Sequence, residues 1–529
     1  MEKVGEFLQE LKVIAKGAGW IFAGFFASKL LAFIYRVIIA RFLEPSDLGL
    51  FSMGLAVLGI MTVFAGLGLY QGVLHFVAIY ESRGKSGELR GTILGGLKMQ
   101  LLASCFFAAL MFFLSKPIAL SFFRQPLLEP ILQALSFVIP FQVITSNLIT
   151  ITLAFKKAEY RVLLRNLVEN IAKIVFTAGF LLLGLRAFGV SLALALSSVF
   201  ILLVSIYVLN KKVYRFFAPG AETKYRLGEL FSYSWPLFAV GFFSIIMSSL
   251  DTICLGLLTT AYDTGIYSVA IPTARVLLAP SFAFISIFLP IATGLYAQGK
   301  TSELSKTYKT VVRWVFLVLF PSMLFTVFFS REILSILFGA VYAEGAAALS
   351  ILAIAIFIEG LFGPVGSMLE CISKTRWILF NTIVASVLNV VLNFLFIPLF
   401  AKVGAAVTGA ALATAIAYFL WGLLAFIEVY AATRIHPYNA AYLKPTIASV
   451  IAIVLFYALK QLFPPIDSFT FPLKLLLLLF LGIAFSVVYA LILLVIKGLQ
   501  KEDIEILKAM ENKTGVRVEF IRNIVKKFI

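Results

Sequence analysis

Fourteen apolar runs, each longer than the roughly 20 residues that a helix needs to cross about 30 Å of hydrocarbon, follow one another with only short polar turns between them. No water reaches a backbone inside a bilayer, so segments of this kind satisfy their own N–H and C=O groups as α-helices. The chain therefore reads as an all-α integral membrane protein with 14 transmembrane helices. The runs occupy 17–43, 47–79, 91–114, 128–155, 162–184, 189–210, 229–258, 264–296, 309–329, 345–371, 377–399, 404–431, 442–462 and 473–497. Composition agrees, with 61% of the 529 residues hydrophobic and a mean hydropathy of +1.03, far more apolar surface than a water-soluble fold buries.

Charge sets the orientation. Of the 44 Lys and Arg residues, 31 fall on, or within a few residues of, the alternate turns that share a side with both termini and eight on or beside the opposite turns. The other five (Lys29, Arg36, Lys98, Lys173, Arg275) lie deeper inside runs. By the positive-inside rule both termini are expected in the cytoplasm and the protein in the cell membrane. The net charge of +18 then follows from topology, and no nucleic-acid partner is expected. Cys105, Cys254 and Cys371 have neither CxxC spacing nor a partner His, which argues against disulfides and zinc. The first run is too long for a signal peptide and holds Lys29, so it is expected to be retained as a span. Ahead of it, residues 1–16 place Val4, Leu8, Leu11 and Ala15 on one face against Glu6, Glu10, Lys12 and Lys16, the pattern of a helix lying at the membrane surface.

The chain repeats itself with an offset of about 216 residues. Gly24-Phe25-Phe26 returns as Gly241-Phe242-Phe243, and Asp47-Leu48-Gly49-Leu50-Phe51-Ser52 as Asp263-Thr264-Gly265-Ile266-Tyr267-Ser268. Gly84 to Leu89 matches Gly299 to Leu304, Ser115 to Phe123 matches Ser330 to Phe338, and Arg161 and Asn166 match Arg376 and Asn381. Each unit holds six runs, an even number, so both copies enter from the same side. The expected arrangement is an N-lobe (17–210), a cytoplasmic linker (211–228), a C-lobe (229–431), an appended helix pair (442–497) and a cytoplasmic tail (498–529). The two six-helix lobes should be related by a pseudo-two-fold axis along the membrane normal, with a central cavity between them.

The stretch Arg41-Phe42-Leu43-Glu44-Pro45-Ser46-Asp47-Leu48-Gly49-Leu50-Phe51-Ser52 resembles the R-x-L-G-P-x-D-F-G-x-Y segment of the polysaccharide and oligosaccharide-lipid flippases, within the multidrug/oligosaccharidyl-lipid/polysaccharide exporter superfamily. Asp263 to Ser268 repeats it in the second half, and six, six and two runs extend the likeness over nearly the whole chain. The resemblance implies an alternating-access carrier that moves an undecaprenyl- or dolichyl-linked glycan across the membrane, among membrane lipids and as a monomer. It marks the family and leaves the glycan open.

No nucleotide engine is expected. Arg83-Gly84-Lys85-Ser86 ends like a P-loop, but Ile79 stands where the first glycine belongs, and the surroundings read as a turn between helices. With two histidines in the chain, zincin and triad chemistry are absent as well, so the chain reads as a carrier and not an enzyme. No cofactor is expected; Na⁺ or H⁺ is the candidate coupling ion.

Ionisable groups at mid-membrane cost at least about 2.5–3.5 kcal/mol each, which makes them candidates for function. Lys98, His75, Glu370 and Glu428 lie near cytoplasmic helix ends and snorkel; Glu169 and Lys173, four apart, neutralise each other. Lys29, Arg36, Asp251, Arg275 and Glu359 remain. Lys29, Arg36 and Arg275 are the expected contacts for an anionic lipid headgroup, because Arg offers phosphate a bidentate fork. The competing reading is pairing between helices, Arg36 with Asp251. Asn389 and Asn393, four apart on one face, with Asp251, Thr408 and Glu359, are the candidates for an oxygen-lined site for a small cation; inter-helix hydrogen bonding is the plainer reading of the Asn and Thr residues. Pro272, Pro280 and Pro290 in the eighth run, and Gly54, Gly59, Gly66, Gly68 and Gly72 in the second, are expected bending points. A cation-exporting multidrug antiporter is the alternative, and it should line its cavity with carboxylates and aromatics rather than with three cations.

Overall fold

The computed structural model describes residues 27–214, 223–438, 440–460 and 470–500. The expected interfacial helix at 1–16, the start of the first run and nearly all of the cytoplasmic tail lie outside them. The described residues form helices and turns with no strand. In chain order the main helices are α1 (residues 27–42), α2 (Pro45–Gly66), α3 (Leu69–Ser82), α4 (Ser86–Phe113), α5 (Leu128–Ser136), α6 (Val138–Ala154), α7 (Glu169–Leu182), α8 (Arg186–Val208) and α9 (Leu227–Leu258). There follow α10 (Ala261–Arg275), α11 (Ala279–Ala297), α12 (Thr301–Phe328), α13 (Ser330–Phe338), α14 (Ala346–Cys371), α15 (Thr375–Ala401), α16 (Ala406–Thr433), α17 (Leu443–Lys460) and α18 (Phe471–Val495).

Among the described residues, eleven helical segments are long and apolar enough to cross a membrane, or twelve if the pair Ala261–Phe282 and Phe284–Ala297, bent by 42°, is one span. The expected first run is described only from residue 27. The fifth is helical from Ala158 to Leu182 but carries Arg165, Glu169 and Lys173, too much charge to rank with the others on composition.

The chain divides into two compact units, Met1–Ser268 and Val269–Ile529. The core of the first is built from Leu69, Val73 and Val77 of α3, Leu89 and Ile93 of α4, Leu148 and Ile151 of α6, Ile201 of α8 and Leu230 of α9. Thus α9 and the start of α10, which the repeat assigns to the second copy, pack in the first unit. In the second unit Phe288 and Ala292 of α11, Tyr308 and Val312 of α12, Val365 and Met368 of α14 and Ala425 and Val429 of α16 form the core.

The repeat is visible as local structure. α4 and α12 are both 28 residues long, begin at matching positions, and follow the same turn. In it Gly84 (φ 64°) and Gly299 (φ 69°) are left-handed. The next N–H groups, of Lys85 and Lys300, bond back to Tyr80 and Leu295 at 2.9 and 3.0 Å. The P-loop-like Gly84-Lys85-Ser86 is thus a helix-to-helix turn, as its neighbours suggest.

Both expected bending elements are interrupted. Between α2 and α3, Leu67 (φ 52°) and Gly68 (φ 67°) are left-handed, a conformation that costs little at glycine. Between α10 and α11 the helix tightens over Val276–Leu278.

Candidate functional site

The two copies of the Asp-x-Gly stretch meet each other. A Cβ on Gly49 would lie 1.7 Å from the Ala261 carbonyl oxygen, and one on Gly265 would lie 1.8 Å from that of Pro45. Pro45 and Ala261 stand at equivalent positions of the repeat, as do Gly49 and Gly265, so the contact is reciprocal, of the kind a two-fold axis generates. Only glycine lets the two backbones touch here. Next to the contact, Asp263 and Thr260 cap the start of α10, Thr260 Oγ1 donating to Asp263 Oδ2 (2.8 Å) and the Asp263 N–H to Thr260 Oγ1 (3.2 Å). Asp47, the equivalent of Asp263, faces Arg186 at 3.7 Å.

The same helix α10 that makes the crossing also receives two charged candidates of the first unit. Arg36 donates through Nη1 to the main-chain carbonyl of Ser268, and Asp251 accepts from the Tyr267 hydroxyl at 2.5 Å. The residue that Arg36 holds and the one that Asp251 holds are therefore neighbours on α10. Helix α1 is also held by α7, where Tyr35 accepts from Thr177 and Ser28 from Asn170, each at 3.3 Å. Lys29, seven residues before Arg36, is exposed on the same helix.

The expected neutralisation on the fifth run is present and larger than foreseen: Glu169 binds Lys173 at 2.7 Å and Arg165 at 3.1 Å. Arg165, counted from the sequence with the preceding turn, thus joins the pair along the same helix.

In the second unit Arg275 donates to the Tyr418 hydroxyl at 3.2 Å and is the charged group that acts electrostatically on Glu359. Glu359 Oε2 is buried and accepts no hydrogen bond among the described residues. Asn389 and Asn393 are both buried on one face of α15. Asn393 Nδ2 donates to the Asn389 carbonyl (3.0 Å) and to its Oδ1 (3.1 Å), and Asn389 Nδ2 to Thr414 Oγ1 (3.4 Å). The threonine bonded to Asn389 is Thr414; Thr408 lies six residues earlier, in the first turn of α16. Asp251 belongs to the other unit. No group of three or more His, Cys, Asp and Glu able to hold a metal occurs among the described residues.

Several polar groups escape a linear reading. Gln100 Nε2 reaches the Gly66 carbonyl (3.3 Å) at the interruption after α2, and its Oε1 accepts from Asn147 Nδ2 (2.6 Å). Arg313, counted from the sequence with a cytoplasmic turn, is 1% exposed within α12. Its helix starts at Thr301, eight residues before the apolar run, so Arg313 sits in the fourth turn and not at an end. Glu428 and Lys98 have partners beyond snorkelling: Asn381 donates to Glu428 at 2.7 Å, and Lys98 donates to the Tyr225 hydroxyl at 3.1 Å. Asn166 aligning with Asn381 was the one available signal, and it gave no partner.

These helices resemble known carriers. The family model described as polysaccharide biosynthesis protein matches residues 14–295, and the MatE model matches residues 236–395. The uncharacterized membrane protein MJ1068 of Methanocaldococcus jannaschii is 25% identical over 414 residues, covering 74% of this chain and 80% of that protein. The probable low-salt glycan biosynthesis flippase Agl15 of Haloferax volcanii is 24% identical over 182 residues, covering 34% of this chain and 39% of its own length. Among solved structures, lipid II flippase MurJ in an inward closed conformation superposes with a TM-score of 0.66 at 16% identity, over 89% of this chain and 98% of that one. A multi-pass membrane protein with this fold and with a family match over more than half its length, the chain belongs to the polysaccharide biosynthesis protein family.

Proposed function

We propose that the protein is an alternating-access flippase that carries a polyprenyl- or dolichyl-pyrophosphate-linked glycan across the cell membrane. The observation that carries this reading is the placement of Lys29, Arg36 and Arg275 in apolar helices, together with family membership. A lipid pyrophosphate is a compact anion that loses hydration on its way across, and cationic side chains offset that loss with charge-assisted hydrogen bonds. A flippase named as such, Agl15, is among the relatives, and the fold is that of a lipid II flippase.

In this proposal the full architecture is 14 spans in two six-helix lobes plus an appended pair, acting as a monomer with both termini cytoplasmic. The Gly49–Gly265 crossing then lies at the outer membrane face, where the first two spans of each copy end and begin, and closes that face while the other is open. The polar pair Asn389 and Asn393 with Thr414 is the candidate site for a coupling Na⁺, and Glu359 beside Arg275 the candidate for a proton.

Purified protein in liposomes with a fluorescent lipid-linked oligosaccharide tests the reading. Wild type should make the inner-leaflet label accessible to a membrane-impermeant quencher added outside, and Arg36→Ala and Arg275→Ala should lose that activity while remaining folded and inserted. Full activity in both variants would mean that the charges hold helices together instead. The second reading, a cation-coupled multidrug antiporter, is favoured by the MatE match over residues 236–395. It predicts ion-driven ethidium export by the same liposomes and no glycolipid movement.

A further inference from the structure

In an unbroken helix the Ser268 carbonyl would accept from the N–H of residue 272. That residue is proline, which has no N–H to give. Ser268 is buried, at 3% exposure, so water does not complete the oxygen. Arg36, reaching across from α1, supplies the missing donor. The proline thus does more than bend the eighth run. It creates a backbone acceptor at the depth of the cationic candidate, and that acceptor already holds the guanidinium.

We propose that Pro272 is a positioning residue for Arg36. By leaving the Ser268 carbonyl open it tethers the guanidinium to α10, and the pyrophosphate headgroup of a polyprenyl lipid takes the guanidinium from that tether, loosening α10 from α1 as it binds. The exchange is favourable in kind, because a hydrogen bond from guanidinium to an ionised phosphate oxygen is about twice as strong as one between neutral groups and bidentate where two oxygens are offered. On the α1 side little has to move, since Tyr35–Thr177 and Ser28–Asn170 keep that helix on its neighbours. The mechanism rests on the reading of Arg36 as a headgroup contact, and it adds that headgroup and carbonyl compete for one side chain.

The test uses the full chain in nanodiscs, with farnesyl pyrophosphate as the probe. Pro272→Ala restores the N–H, lets the helix satisfy its own carbonyl and releases Arg36. The expected result is binding tighter by about tenfold, about 1.4 kcal/mol, together with a lower KM and a lower kcat for glycolipid flipping, because binding no longer frees the helix. Arg36→Ala should weaken binding, and Pro272→Ala should add nothing in that background. Pro272→Leu, which also restores the donor, should repeat the effect if the alanine variant does not fold. Unchanged binding in both Pro272 variants, with weaker binding in Arg36→Ala, would overturn the tether and leave the headgroup reading standing. Tightening that persists without Arg36 would also overturn it. Unchanged binding in Arg36→Ala would remove both.

Discussion

Gly49→Ala places one methyl group where the two motif copies cross. Its Cβ would lie 1.7 Å from the Ala261 carbonyl oxygen, whereas ordinary contact begins at 3.4 Å. The helices must therefore separate by roughly the difference, and a carbonyl in a helix cannot turn aside as a side chain can. Overpacking of this kind costs about 1–3 kcal/mol, charged only against the arrangement in which the crossing is closed. Taking about 2 kcal/mol, the ratio of closed to open forms falls about 30-fold. For a carrier whose two states differ by a few kcal/mol, that is enough to change which one predominates. Thr264, adjacent to Gly265, is fully buried, so a Thr264→Cys reporter in a background without Cys105, Cys254 and Cys371 registers opening. A membrane-impermeant maleimide should label it slowly in the otherwise wild-type chain and at least tenfold faster with Gly49→Ala. Gly265→Ala, tested with the reporter at the equivalent Leu48, should do the same because the contact is reciprocal. Equal labelling with and without either substitution would refute the argument.

Other outcomes follow from single contacts. Tyr489 of α18 donates to the Leu317 carbonyl at 2.9 Å, the oxygen that Pro321 leaves without its helical donor. Tyr489→Phe should lower stability by about 1 kcal/mol, and clearly less in a Pro321→Ala background, as read by thermal unfolding in detergent; additive losses would disprove the link. Glu169→Gln leaves Arg165 and Lys173, whose side chains are 40% and 24% exposed, without their shared carboxylate; because both cations are screened, a loss of about 1 kcal/mol is expected, and an unchanged melting temperature would show that lipid or water takes its place. Asn389→Ala should abolish any Na⁺-dependent thermal stabilisation, and stabilisation that survives it would place the coupling ion elsewhere.

The sequence by itself determined that this chain is all-helical, lies in a membrane and is built twice over, because those properties depend on local patterns. Run length decides helix in hydrocarbon, and a repeated turn such as Gly84-Lys85 folds alike wherever its residues recur. The Glu169–Lys173 pair was legible for the same reason, since one helix turn joins its members. Partners across helices were not legible. Pairing with Asp251 is the competing sequence reading of Arg36, and the tertiary structure gives its guanidinium the Ser268 carbonyl instead, an atom that no side-chain reading contains and that became available through a proline four residues away. Tertiary structure likewise decided that Gly49 meets Ala261 and Gly265 meets Pro45, that Thr414 and not Thr408 serves Asn389, and that Arg313 is buried. In each case the deciding quantity is the rotation and depth of one helix against another. Apolar residues on every side of a membrane helix leave both undefined until the small residues and freed carbonyls of its neighbours select one packing.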